Sequence, residues 1–199
     1  MKILPLIALS LGLGIMPAAA QPLLPVFHLN AAAAFPLSPH SFSNGHGVGY
    51  GMALGAGVSV LERADVYVEG SLAAFPIDLG QVRGDVRATG GNVSFTGAAI
   101  GLRVHFPTPN GTFYVSPRGS MERYKVTDLL IQSSDTTISQ AGGSEWAPAA
   151  SIGAGITFDL IPQAGLFVEA DYSLVFAEQQ TLQYTPIRVG LTIRPGRAE

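Results

Sequence analysis

Few side chains in this 199-residue sequence carry reactive chemistry, and their spacing decides what they can do. A hydroxyl nucleophile needs an imidazole within hydrogen-bond reach. His40, Ser41, Phe42, Ser43 and Asn44 bring both types together, with His46 close behind, but they fall in a connecting segment. His28, Asp65, His105, Asp159 and Arg194 would all face inward near the short-turn mouth, where the imidazole and carboxylate groups among them would suit zinc. These five come from well-separated stretches without ligand spacing, so they read as ordinary polar filling. The glycine-rich stretch 45–57 lacks the G-x-G-x-x-G spacing and precedes no helical pattern, which excludes a phosphate loop. The absence of cysteine removes thiolate metal sites and disulfides. No catalytic, cofactor or metal site is expected, and the chain is not read as an enzyme.

Charge is scarce and patterned. Only 13% of residues are charged, about half the usual share for a soluble domain. The formal net charge of −3 leaves no basic field of the kind that binds nucleic acid. Glu69, Arg103, Arg118, Glu122, Glu169, Asp171 and Arg188 each occupy the positions opposite a set of bulky apolar residues. Arg123 is the exception, standing on the apolar side near the end of its segment.

The elements that carry these residues have a period of two. Between 47 and 60, Val48, Tyr50, Met52, Leu54, Val58 and Val60 alternate with glycine, alanine and serine. Strand side chains point to opposite faces in turn, so one face is bulky and the other nearly bare. Similar alternation runs through 26–36, 65–75, 92–106, 112–124, 146–160, 165–176 and 184–194, giving eight expected strands. In 92–106 the apolar set begins on Val93 and Phe95 and ends on Ile100, Leu102 and Val104, a change of parity that predicts a bulge near Gly97. Each segment has roughly the ten residues that a tilted strand needs to cross a bilayer. An even number of antiparallel strands can close and leave no edge.

Connections alternate in length. Those at 61–64, 107–111 and 161–164 are tight, and Asn110-Gly111 reads as a hairpin turn. Those at 37–46, 76–91, 125–145 and 177–183 are longer and more polar. Phe27, Phe106, Phe113 and Phe158 gather near the short-turn ends, and Phe35, Tyr50, Trp146 and Phe176 near the long-loop ends. Two such aromatic girdles mark the two interfaces of a membrane barrel. Ahead of the strands, Lys2, an apolar run and Ala18-Ala19-Ala20 make a signal peptide over 1–20, with cleavage between Ala20 and Gln21.

These features together resemble the small eight-stranded outer-membrane β-barrels of the OmpA/OmpX type, over essentially all of 21–199. The resemblance implies an all-β, antiparallel, up-and-down transmembrane barrel in the cell outer membrane. Bulky residues would face lipid, and the seven charged residues would form a luminal network that fills the interior. It implies a monomer whose partners are outer-membrane lipid, lipopolysaccharide and the barrel-insertion machinery, with the long loops, above all 125–145, available to a surface ligand. Arg188, Gly190 and Ile193 match the insertion signal of such barrels, although Pro195 stands where its closing aromatic belongs and 196–199 extend beyond it. Pro117 and Pro148 also depart from the pattern, since each lacks a ladder donor, and a bulge or a rim position would absorb one. A narrow channel or a lipid A-modifying barrel are alternatives within the same architecture. A soluble barrel binding a small apolar ligand is the alternative outside it.

Overall fold

The computed structural model describes residues 23–61, 63–78, 87–132 and 137–195, and the proposed signal peptide lies outside them. The elements are β1 (Leu24–Ser38), α1 (His40–Gly45), β2 (Gly49–Leu61), β3 (Ala64–Phe75), β4 (Arg87–Gly90), β5 (Val93–Thr108), β6 (Gly111–Val126), β7 (Leu129–Gln132), β8 (Thr137–Gln140), β9 (Gly143–Ile161), β10 (Ala164–Phe176) and β11 (Thr181–Ile193).

Eight of the strands close on themselves in the order β1-β11-β10-β9-β6-β5-β3-β2. Every barrel pairing is antiparallel, and β1 closes the cylinder by pairing with both β2 and β11. Closure gives every wall strand two neighbours, which removes the exposed ladder groups that an open sheet would carry into lipid. The tight connections lie at one end. Pro109 and Asn110 form the turn between Thr108 and Gly111, so the hairpin sits one residue earlier than Asn110-Gly111. Gly111 opens β6 at φ 151°, where an added Cβ would stand 2.6 Å from the Thr157 carbonyl oxygen.

Two differences from the sequence reading have a physical cause. The bulge near Gly97 is absent: β5 pairs with β3 and β6 in unbroken register from Val93 to Gly101. Val93 and Phe95 simply point inward with Arg103 and His105, because the upper lumen is apolar. The long connections are also more ordered than loops. β4, β7 and β8 form a separate three-stranded sheet from the 76–91 and 125–145 connections, beyond the ends of β5, β6 and β9. The 37–46 connection folds into α1 and buries Phe42. Pro117 is accommodated without a bulge; the β5–β6 ladder skips Leu102 and Arg103 opposite it and resumes at Val104 in the same register.

Candidate functional site

The alternation along each strand sorts the wall into two surfaces. Leu29, Leu54, Val68, Ile100 and Ile152 are 55 to 64% exposed on the outside. Glu169, Asp171, Arg103, Glu69 and Arg118 are only 1 to 6% exposed on the inside. The apolar-ligand alternative needs the reverse, with the greasy face lining a cavity. Here the apolar residues form the outer wall and the ionic residues the interior.

Small residues make room for the large inward ones. A Cβ on Gly55 would collide with the His28 ring, and one on Gly153 with the Asp171 carboxylate. That requirement explains the bare face noted in the sequence.

At the short-turn mouth, Asp65 gathers His105 (Nε2 to Oδ2, 2.7 Å), Arg194 (3.2 Å) and Ser59, which donates at 2.7 Å. His28 does not belong to this cluster but lies deeper, 2.9 Å from Glu69. Asp159 is exposed at the rim. The five residues expected together at this mouth are therefore divided between three places.

Above this cluster, Arg103 lies over the ring of Tyr114 at 4.3 Å, with Phe167 and Tyr67 at 5.3 and 5.5 Å. Its guanidinium also donates to Glu169 at 3.2 Å. From there the charges run as one connected chain. Arg118 donates to Glu169 at 2.7 Å and to Asp171. Arg188 Nε stands 2.6 Å from Asp171, and its Nη1 donates to Glu69 at 2.7 Å. Three guanidinium groups thus meet three carboxylates, so the desolvation cost of each is offset by a partner. Ser151 accepts from Arg118 Nε at 3.1 Å, and Tyr67 and Ser116 bond each other at 2.6 Å.

Glu122 faces the same interior but accepts from Ser120 at 3.2 Å and forms no ion pair among the described residues. It borders a cavity of about 40 Å³ with a mixed lining, shared with Asn30, Ser151, Ser173 and Arg188 on one hand and Ala34 and Phe95 on the other. That is space for a few water molecules, not for a solute.

An apolar layer follows, which sequence reasoning missed. Phe42, Phe75, Phe95 and Tyr184 pack edge-on and stacked with ring centroids 5.0 to 6.3 Å apart. Val93, Val175 and Leu182 complete it. The signal was present as unbroken parity through Gly97, together with one aromatic in the 37–46 connection. Above the layer, an open pocket of about 370 Å³ is lined by His46, Tyr124, Leu129, Gln140 and Gln180 among others. His46 ties α1 to the β4–β5 connection, its ring nitrogens lying 3.2 Å from the Phe42 carbonyl oxygen and 3.0 Å from that of Gly91.

The eight aromatics of the expected girdles, Phe27, Phe35, Tyr50, Phe106, Phe113, Trp146, Phe158 and Phe176, all stand on the outer wall and are exposed. Phe106 and Phe113 pair across β5 and β6 at the short-turn end, with centroids 6.0 Å apart. Trp146 lies across from Arg123 at the other end.

No protein-family model and no curated protein matches the sequence. Among solved structures, Neisserial surface protein A superposes with a TM-score of 0.54 at 13% identity, covering 85% of this chain and 96% of its own. A major outer membrane protein from Thermus thermophilus superposes with a TM-score of 0.51 at 12% identity, covering 85% of this chain and 99% of its own. Closed antiparallel wall, ionic interior and greasy exterior agree with that likeness: the chain has the fold of the small eight-stranded outer-membrane β-barrels.

Proposed function

We propose that this chain is an integral protein of the outer membrane that serves a structural or surface-recognition role through its long-loop end. The observation that carries the reading is the inverted polarity of the wall: large aliphatic side chains exposed around the cylinder, ionic ones sealed within it. An apolar area of that extent is untenable in water but matches bilayer hydrocarbon. The exposed aromatics near both strand ends sit where a membrane places its interfacial belts. Cell fractionation tests this directly. The protein is expected with the outer membrane, to require detergent, and to migrate faster on a gel unheated than boiled. Recovery of the processed chain in the aqueous fraction would overturn the reading. The mature chain is expected to begin at Gln21, which intact-mass measurement checks.

The lumen, in the same proposal, is closed by its own side chains, the charge chain below and the aromatic layer above. Ions then have no path, and the barrel acts as a rigid support. The pocket over the aromatic layer and the β4-β7-β8 sheet are the surfaces on which a ligand would be met, since rigid scaffolds display recognition on their loops.

A further inference from the structure

Arg103, Arg118 and Arg188 on the wall strands, and Arg194 just beyond β11, pair with carboxylates of the interior. Arg123 does not. It stands exposed on the outer wall of β6, level with Trp146 of β9, and among the described residues donates to the Ser144 hydroxyl at 3.2 Å. Lys125 follows two residues on, exposed on the same face and paired in register with Ser144 and Ser94. Neither cation meets a carboxylate within ion-pair distance among the described residues. The nearby Asp128 carboxylate accepts from the Gly142 N–H at 2.7 Å. Below the two cations, Met121 is 50% exposed in the apolar band.

We propose that Arg123 and Lys125, with Thr96 and Ser144 beside them, bind the phosphate of an outer-leaflet glycolipid headgroup, with Trp146 packed against the same molecule. This rests on the membrane reading above, because it is the long-loop girdle that puts the two cations at headgroup height. A guanidinium and an ammonium on one face, flanked by hydroxyl donors, match a phosphate monoester. Their position favours a lipid over a dissolved anion. They project sideways from the wall at the aromatic belt, whereas a dissolved anion would be met at the loop tips. Unpaired cations facing a bilayer flank are costly unless the headgroup layer supplies their counter-charge.

The chain contains one tryptophan, Trp146, so its emission reports on this spot alone. The test titrates bis-phosphorylated lipid A into the full mature chain, folded in zwitterionic detergent, and follows that emission. The wild type is expected to saturate. Arg123→Gln with Lys125→Gln is expected to bind roughly thirtyfold more weakly, and Lys125→Gln alone about fivefold, from the usual worth of a cation at an anionic surface. The charge-preserving pair Arg123→Lys with Lys125→Arg is expected to stay close to wild type. Lipid A stripped of its phosphates is expected to bind the wild type as weakly as intact lipid A binds the double glutamine variant. Unchanged affinity in the glutamine variants, or equal affinity for the stripped lipid, would overturn the inference. So would full displacement by inorganic phosphate, which would mark a site for free anions. Gel heat-modifiability, measured on each variant, separates the two proposals. A barrel that inserts normally but ignores the phosphates sinks only the lipid site, whereas a wild type with no heat-modifiable form sinks both.

Discussion

Arg118 is the residue on which the interior charges converge. It reaches two carboxylates and the Ser151 hydroxyl, and it is almost fully shielded from solvent. Removing it by Arg118→Ala leaves Glu169 and Asp171 sharing what Arg103 and Arg188 provide. Breaking a buried pair by deleting one partner costs about 3–5 kcal/mol, far more than the pair contributes relative to an apolar replacement. The variant is expected to lose about that much stability, read as the urea midpoint of the heat-modifiable form in detergent. Adding Asp171→Asn is expected to recover part of the loss, since it removes one of the stranded charges. Glu122→Gln makes the opposite case. With hydroxyl donors and no ion pair among the described residues, and a cavity beside it, its neutralisation is expected to shift stability by no more than about 1 kcal/mol. Equal losses at Arg118 and Glu122 would mean that the charge chain does not hold the interior together.

At the level of the strand, glycine has two roles that one substitution distinguishes. Gly153 faces inward beneath the Asp171 carboxylate, which occupies the place of any added Cβ. Gly119 has open space where its Cβ would go. Gly153→Ala is expected to cost about 1–3 kcal/mol through overpacking. Gly119→Ala is expected to be neutral or to stabilise by roughly 0.5–1 kcal/mol, as relief of glycine in a strand allows. Refolding yields and urea midpoints of the two variants check this. Most of the strand architecture was legible because alternation has a period that helices cannot imitate, and because a closed wall needs the same pattern in every segment. Val93 and Phe95 were misplaced for a physical reason. Reading apolar as outward is valid at mid-height, where lipid faces one side and charge the other, but it fails where the lumen itself turns apolar. Phe42 could not be assigned either, since nothing in a short polar connection says that its one aromatic turns down onto Phe75. Pairings such as Arg118 with Glu169 were legible as a balance of signs but not as contacts, because partners 51 residues apart meet only through the barrel's register.

Across the whole molecule, the proposed function has the interior closed twice over, by layers of different chemistry. Near the long-loop mouth, Phe42, Phe75, Phe95 and Tyr184 pack together, which in that reading seals the lumen. At mid-height the ion pairs from Arg103 to Glu69 would close it in the same proposal, with a cavity of about 40 Å³ beside Glu122 among the described residues. Opening either layer alone therefore leaves the other in place. In planar bilayers the wild-type chain is expected to give no steady single-channel current. Phe42→Ala with Phe95→Ala removes two of the rings between the internal cavity and the outer pocket, yet the current is expected to stay at baseline because the ionic layer is untouched. A hydrated ion would have to separate guanidinium from carboxylate in a space already filled, and buried pairs resist that strongly. Conduction by the double alanine variant would show that the aromatic layer was the sole barrier and that the charges below it leave a path. Steady conduction by the wild type would go further, turning the interior from a packed support into a pore.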